Sequence, residues 1–287
     1  MTAIIMKELR TYFTQMTGYI FLALMVFLTA LFFVAMNVFS LNPNFQQVLS
    51  TTTILFFILI PTLTMRLFAD ELKNKTDQLL YTSPLSVWQI VLGKYLAAAI
   101  LFFFASAVTM LFPLIISRFG ELPNSQIIGA YVGFILIGWA FIAVGLFVSV
   151  MTENQIIAAV GTAGALFLLF IMDSLAAGLP ADANSSFIFI GIIIIAVAAL
   201  LFNSTKNIIA AVLLGLFGFG AAGAMFFTNR LLFDAVMPRT FMWFSVFSRY
   251  ADLTRGILNF ADIVFYISFA IIFIYLTINV IEKRRWR

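Results

Sequence analysis

The chain contains no cysteine and no histidine, and charged residues make up only 10% of its 287 positions. The lack of cysteine excludes a disulfide framework and thiol chemistry. The lack of histidine removes the commonest general base and the commonest metal ligand, which argues against an enzyme. The net charge of +4 is modest. It suits basic groups near membrane ends and does not indicate nucleic-acid binding.

Apolar side chains dominate instead, at 63% of the residues, with 35 phenylalanines and a mean hydropathy of +1.11. A soluble domain cannot bury that much apolar surface, so lipid is the solvent for most of the chain. We therefore predict an all-α, polytopic integral membrane protein with one transmembrane domain over 1–287. The first long apolar run lacks a cleavage site and is expected to remain in the mature protein.

About eight apolar runs are long enough to cross a bilayer core of about 30 Å. The predicted spans are 19–39, 48–68, 88–117, 127–151, 156–175, 187–202, 208–227 and 263–280. Pro61 is expected to kink the second span. The sixth and seventh spans form an extra helical hairpin over 187–227.

Two amphipathic stretches lie outside these spans. Apolar residues recur at helical spacing over 2–15, which indicates an N-terminal helix lying in the membrane interface. The 228–260 stretch mixes charged and aromatic residues and is expected to be an outer interfacial or re-entrant segment. Its candidate functional residues are Arg249, Asp252, Arg255 and Gly256.

A charged loop over 66–88 separates the second and third spans. Its pattern is helical, because Leu72, Leu79 and Leu80 can share one face while the charged side chains point elsewhere. Thr82-Ser83-Pro84 would end that helix, since the residue before a proline is displaced from the α region. By composition alone, a plain solvated loop between two spans fits this stretch as well.

The loop resembles the first cytoplasmic loop of type-2 ABC exporter permeases. In that family an Asp/Glu-Glu-x-Lys/Arg-x-x-Gly-Thr-x-x-x-Leu-Leu-x-x-Ser-Pro string forms a coupling helix that docks on the ATPase subunit. The matching residues here are Asp70, Glu71, Lys73, Thr76, Leu80, Ser83 and Pro84. Lys75 stands where the family often has glycine. The start Lys7-Glu8-Leu9-Arg10 also resembles the family's N-terminal elbow helix.

Three further stretches resemble the gliding-motility-associated branch of that family. They are Thr152-Glu153-Asn154-Gln155 with the apolar residues that follow, the segment from Phe247 to Phe265, and the terminal Glu282-Lys283-Arg284-Arg285-Trp286. In that branch the first is a short cytoplasmic turn and the second a re-entrant segment before the last span.

The resemblance implies the transmembrane subunit of an ATP-driven exporter, which forms the translocation pathway as a dimer. The implied ATPase-coupling residues are Asp70, Glu71, Lys73, Thr76, Leu79, Leu80, Pro84, Glu153, Asn154 and Gln155. The implied partners are an ABC ATPase subunit, a second permease subunit and membrane lipid. The second permease would be identical or related, and the gliding-type branch suggests one with a large outer domain.

The chain has no Gly-x-x-x-x-Gly-Lys-Ser/Thr string, so it is expected to be a permease and not an enzyme. We expect no cofactor in this chain, with ATP and magnesium bound by the partner ATPase subunit.

Other functions remain open at this point. A secondary transporter would need coupling carboxylates or broken helices near the membrane midplane. Asp173, near the outer end of the fifth predicted span, is a charged intramembrane candidate, and it suits either a functional role or a position from which its side chain reaches water. A membrane anchor or assembly subunit also fits, and co-purification with an ATPase would separate these readings.

Basic residues indicate the orientation. One side of an eight-span chain would carry Lys7, Arg10, Arg66, Lys73, Lys75, Lys94, Lys206, Lys283, Arg284, Arg285 and Arg287. The other side would carry Arg118, Arg230, Arg239, Arg249 and Arg255. This asymmetry predicts a multi-pass protein of the cell membrane with both termini and the 66–88 loop in the cytoplasm.

Reporter fusions test this orientation. A reporter joined after Arg287 and one inserted beside Lys75 should both read cytoplasmic, because the basic side stays inside. A reporter beside Asp182 should read external. A cytoplasmic signal at Asp182 would overturn the eight-span topology.

Overall fold

The computed structural model describes residues 1–76, 85–118 and 123–285. All regular secondary structure within these ranges is helical, and they include no strand. The helices are α1 (Thr2–Thr14), α2 (Thr17–Phe33), α3 (Phe45–Thr52), α4 (Phe56–Thr64), α5 (Ala69–Lys73), α6 (Val87–Thr109), α7 (Leu111–Ile116), α8 (Asn124–Met151), α9 (Gln155–Gly178), α10 (Ala183–Thr205), α11 (Ile208–Thr228), α12 (Val236–Trp243), α13 (Val246–Thr254) and α14 (Phe260–Arg285). A π-helical turn, Val34–Val38, extends α2, and 3₁₀ turns lie at Thr53–Leu55 and Arg230–Phe233.

Eight helical stretches within the described ranges are long and apolar enough to cross a membrane, which confirms the predicted all-α, polytopic class. Spans 1 to 8 are Thr17–Val38, Phe45–Lys73, Val87–Ile116, Asn124–Met151, Gln155–Gly178, Ala183–Thr205, Ile208–Thr228 and Phe260–Arg285. Several begin or end beyond the apolar run that predicts them, because caps rather than hydropathy set the helix ends. Span 6, for example, begins where Asp182 accepts a hydrogen bond from the Ser185 amide at 3.0 Å.

Span 2 is not one regular helix. It changes from α3 to a 3₁₀ turn at Thr53–Leu55 and resumes as α4, which contains Pro61. A proline lacks the amide that would bond the carbonyl four residues earlier, and its ring crowds that carbonyl. The 3₁₀ turn lies just before that point in the chain. The structure therefore shows a change of helix type at Thr53–Leu55, before the proline, and the kink expected at Pro61 stays a prediction.

The contacts divide the chain into two compact units, and the first comprises residues 1–168 and 246–287. Its centre is α8, the most buried of the spans, at 72%. Phe56 of α4, Phe102 of α6 and Phe134 of α8 form an aromatic cluster, with ring centroids 4.9 to 5.8 Å apart. All three side chains are fully buried.

Glycines let neighbouring helices approach α8 closely. A Cβ atom at Gly138 would collide with the Phe102 ring, and one at Gly145 would collide with Thr64. At Gly129 the added atom would meet the backbone carbonyl oxygen of Leu253 in α13. Small residues serve this purpose in membrane helix packing, because they allow backbones to come together.

The second unit, residues 169–245, contains α10, α11 and α12. The ring of Phe226 lies 4.8 Å from that of Phe187 and 5.3 Å from that of Phe233, so this cluster joins α10, α11 and the 3₁₀ turn. Little of spans 6 and 7 is buried, at 11% and 6%. The status of this pair as an added hairpin, the single-domain organisation and the outer role of 228–260 stay predictions.

The glycine contacts predict opposite effects of one substitution at two sites. Gly129→Ala should destabilise the protein by about 1–3 kcal/mol, because the methyl group meets backbone that cannot rotate away. The matched control is Gly164→Ala in α9, where the added atom meets open space. There alanine should be neutral or stabilise by up to about 1 kcal/mol.

Thermal unfolding of the two purified variants in detergent measures this difference. Equal transition temperatures would contradict the close approach of α13 to α8.

Candidate functional site

A buried lysine lies at the centre of the polar end of the bundle. Lys94 of α6 is 1% exposed. Its Nζ lies 2.9 Å from Glu8 Oε1, 2.9 Å from Glu71 Oε1 and 2.7 Å from the carbonyl oxygen of Leu67. The ammonium donates hydrogen bonds to Glu8 and to the Leu67 carbonyl, and Glu71 adds a second ion pair. A buried charge is tolerated when it is paired and hydrogen-bonded in this way.

The helix that carries Lys94 begins with a strong local signal. Ser86 is its N-cap and accepts a hydrogen bond from the Gln89 amide at 3.4 Å. The Gln89 side chain accepts one from the Ser86 amide at 3.3 Å, which completes a capping box. Lys94 therefore lies two turns inside span 3, on a helix whose start is fixed by its own sequence.

The ion pairs join three separate elements. Glu8 belongs to α1, whereas Leu67 and Glu71 belong to the end of span 2. Lys7 adds a second cation, 3.0 Å from Glu71 and 3.4 Å from Glu8. One oxygen of Glu71, Oε2, is buried and has no hydrogen-bond partner among the described residues. The cluster of Lys7, Glu8, Glu71 and Lys94, called the ion-pair cluster below, thus ties α1 to spans 2 and 3.

One hydrogen bond and one apolar contact strengthen the docking of α1. The Tyr12 hydroxyl donates a hydrogen bond to the carbonyl oxygen of Leu63 at 2.9 Å. A Cβ atom at Gly93 would lie 2.8 Å from the Ile4 side chain, so α1 and α6 meet closely beside Lys94. The buried residues of α1 are Ile4, Glu8 and Tyr12, which share one face.

The surroundings of α1 also shift the pKa values of two of its side chains, Lys7 and Tyr12. Burial acts to lower the pKa of Lys7, but the carboxylates of Glu71 and Glu8 outweigh it and raise that pKa above 10.5. Because the pKa of Lys7 is higher in the folded than in the unfolded protein, its protonated form stabilises the fold at any pH below the unfolded pKa. That contribution is lost as the pH rises through the folded pKa. Lys7 is therefore charged at neutral pH. Burial raises the pKa of Tyr12 well above its ordinary value, so it stays a neutral donor.

A second connection reaches span 5. Arg66 Nε donates to Gln155 Oε1 at 3.2 Å, and Gln155 Nε2 donates to Asp70 Oδ1. Ser149 of α8 accepts from the amides of Phe68 at 3.1 Å and Ala69 at 3.3 Å. The end of span 2 is therefore bonded to the end of span 4 and to the start of span 5.

The segment after α5 ends in a defined turn. Thr76 N donates to the carbonyl oxygen of Glu71 at 3.0 Å, and Lys75 N to that of Leu72 at 3.2 Å. This pair of bonds is a Schellman motif. Lys75 has φ 55°, in the left-handed region that favours glycine. The lysine thus adopts the backbone conformation for which the family's glycine at this position is suited.

The structure brings some predicted coupling residues together. Asp70 and Gln155 are hydrogen-bonded, and Glu71 is in the ion-pair cluster. Lys73, Thr76 and Glu153 are exposed. Exposed Asn154 caps α9 by accepting from the Ile156 amide at 2.8 Å.

The predicted apolar face of the loop is tested only in part. Leu72 is buried at 6% exposure, so it packs within the first unit and is not available to a partner. Leu79, Leu80 and Pro84 lie outside the described residues.

The outer candidates occupy the opposite end of α8. Arg249 pairs with Asp262 at 3.1 Å and lies 4.1 Å from the centre of the Phe265 ring. Arg255 and Asp252 form an exposed pair at 3.5 Å. Gly256 has φ +82°. The α13 contact at Gly129 and the loop contact at Ser149 are separated by twenty residues of α8, or about 30 Å.

Sequence reasoning missed Lys94, Glu8, Lys7 and Arg66 as site residues. It used the basic ones for orientation, and Lys7 and Glu8 also for the resemblance to an elbow helix. A signal was present, because Lys94 falls inside a predicted span, and an ionisable residue within a span is a functional candidate by default. Asp173, considered for the same reason, is half-buried near the end of α9. Across 1–76, 85–118 and 123–285, no group of acidic side chains is placed to hold a metal ion.

Eight apolar helices within the described residues, with a polar end reached by four of them and by α1, define a multi-pass membrane protein. Residues 35–188 match the model of the ABC-2 family transporter protein. This is more than half of the 287 residues, and the chain belongs to that family.

Membership of this family indicates that the chain is a transmembrane component of an ABC transporter rather than an enzyme. It also implies an ABC ATPase as partner. Comparisons with curated proteins and with solved structures found no match. The matched region includes span 2, Lys94 and Gln155 and ends at the start of span 6.

The ion-pair cluster predicts a large effect of removing its central cation. Lys94→Met leaves two buried carboxylates with Lys7 alone, and breaking a buried pair in this way costs about 3–5 kcal/mol. The matched control is Lys283→Met, an exposed lysine of α14, which should change stability by under about 0.5 kcal/mol.

Thermal unfolding in detergent compares the two variants. Adding Glu8→Gln to Lys94→Met should recover part of the loss, because it removes one of the uncompensated charges. A Lys94→Met protein as stable as the control would show that the cluster contributes nothing.

Proposed function

We propose that this chain is the permease subunit of an ATP-driven exporter and that the 66–88 loop couples it to separate ATPase subunits. The observation that carries this proposal is the set of bonds at the end of span 2. Lys94 links that end to span 3 and to α1, and Gln155 links it to span 5. A displacement of the loop would therefore move three spans and the interfacial helix together.

The geometry around the loop supports an ATPase-docking surface. Exposed Lys73, Lys75 and Thr76 follow the buried Leu72, so these three residues lie at the surface of the first unit. Glu153 and Asn154 are exposed and adjoin Gln155, which is bonded to Asp70. The 152–155 turn would thus contribute to the same surface as the coupling loop, with Leu79, Leu80 and Pro84 supplying its apolar part.

The transport cycle would use two permease subunits. In this proposal the pathway forms between two copies, or between this chain and a related permease with a large outer domain, as the likeness to gliding-type permeases suggests. ATP and magnesium would bind to the ATPase subunits, whose association presses on the loops. The 228–260 segment, with Arg249, Asp252, Arg255 and Gly256, would cover the outer end.

In a protein interface, an apolar anchor in a groove contributes more to the binding free energy than charges at the rim. Leu80→Asp should therefore abolish co-purification of the ATPase, while the subunit still inserts because its spans are unchanged. The matched control, Lys75→Ala in the same loop, should keep most of the association.

The measurement is the amount of ATPase recovered with each variant, together with stimulated ATP hydrolysis in reconstituted vesicles. Full association and activity of Leu80→Asp would show that the loop does not couple the subunits, and an anchor or assembly role would then gain support.

A further inference from the structure

A polar cavity lies beside the ion-pair cluster, between α1, the first residue of span 1 and the end of span 2. Its volume is about 240 Å³, which is room for several water molecules. Hydroxyl and amide groups of Thr11, Gln15 and Thr17 line one part of it. The charged lining residues are Lys7, Glu8, Arg66, Asp70, Glu71 and Lys94.

The charge of this lining is balanced, with three cations and three carboxylates. A simple anion would lie beside three carboxylates, and a simple cation beside three basic groups, so neither has a net attraction. A ligand with one charge of each sign can oppose both kinds of group at once. The lining therefore favours a zwitterion.

The hydrogen-bonding capacity of these residues is unevenly used. Lys94 is already held inside the protein by two carboxylates and one carbonyl oxygen. Arg66 uses Nε toward Gln155, and its two terminal amino groups have no partner in the described part of the chain. Lys7 is half-exposed. The terminal amino groups of Arg66 and the ammonium group of Lys7 can therefore donate to an oxyanion. Guanidinium and ammonium groups form strong, charge-assisted hydrogen bonds with such anions.

A matching acceptor is present on the other side. Asp70 uses one carboxylate oxygen to accept from Gln155, and its second oxygen has no partner within the ranges that the structure describes. A carboxylate oxygen accepts readily from a primary ammonium group. A quaternary ammonium has no N–H to donate and is bulkier, so the acceptor selects the primary amine.

The position of the cavity identifies the source of such a ligand. One wall is α1, whose amphipathic pattern predicts a position in the membrane interface, and another is Thr17, where span 1 starts. This is the depth of the phospholipid headgroups. We propose that the cavity binds a phospholipid with a phosphoethanolamine headgroup, whose phosphate accepts from Arg66 and Lys7 and whose ammonium donates to Asp70.

Native mass spectrometry of the purified full chain tests the site. The protein is incubated with an equimolar mixture of phosphatidylethanolamine and phosphatidylglycerol, and the lipids retained per chain are counted. The ethanolamine lipid should be retained in preference. Arg66→Gln should reduce its retention about tenfold, as expected for loss of a hydrogen bond to a charged group. Lys7→Gln, at a half-exposed position, should reduce it less.

A reversal of selectivity makes the test specific. Asp70→Asn removes one carboxylate and leaves the lining with a net positive charge, so retention should shift toward the anionic phosphatidylglycerol. The matched control is Lys206→Gln, an exposed lysine distant in sequence from every lining residue, which should leave both retentions unchanged.

Equal retention of the two lipids by the parent protein would overturn the proposal. So would unchanged selectivity in Asp70→Asn, or an equal loss in Lys206→Gln. Each variant is first checked for a single species by size exclusion. The proposal does not rest on ATPase coupling, because the parent chain is tested without an ATPase.

Discussion

The arrangement of the polar end depends on how one buried charge is neutralised. The ammonium group of Lys94 has left water. The free-energy cost of this desolvation is offset by two carboxylates, one carbonyl oxygen and the face of Phe68, whose ring centre is 5.1 Å away. These partners come from α1 and from the end of span 2. The charge therefore ties these elements together, since acceptors from two of them converge on one ammonium group.

Hydropathy was a good guide to the spans, because a bilayer demands runs of apolar residues of a set length. It could not give the helix ends, which depend on caps such as Asp182, or the 3₁₀ turn within span 2. The local motif predicted that Asp70 and Glu71 belong to one loop. It could not show that Glu71 faces Lys94 or that Asp70 meets Gln155, because those contacts join residues more than twenty positions apart.

The 66–88 loop illustrates how a departure from a motif can leave the backbone geometry of a turn unchanged. The family often has glycine where this chain has Lys75, and the Schellman turn forms here with a lysine in the left-handed region. A non-glycine residue there carries a conformational cost of about 1–2 kcal/mol. The two backbone bonds of the turn hold it in place, and the side chain adds a positive charge to an exposed surface.

The order of the partners along the chain has a consequence for synthesis in the membrane. Glu8 and Glu71 both precede Lys94, so each carboxylate has been made before the helix bearing the lysine enters the bilayer. A lysine inserted without them would face lipid with an unpaired charge. With both carboxylates already made, the partners that neutralise the lysine are available when the third span arrives.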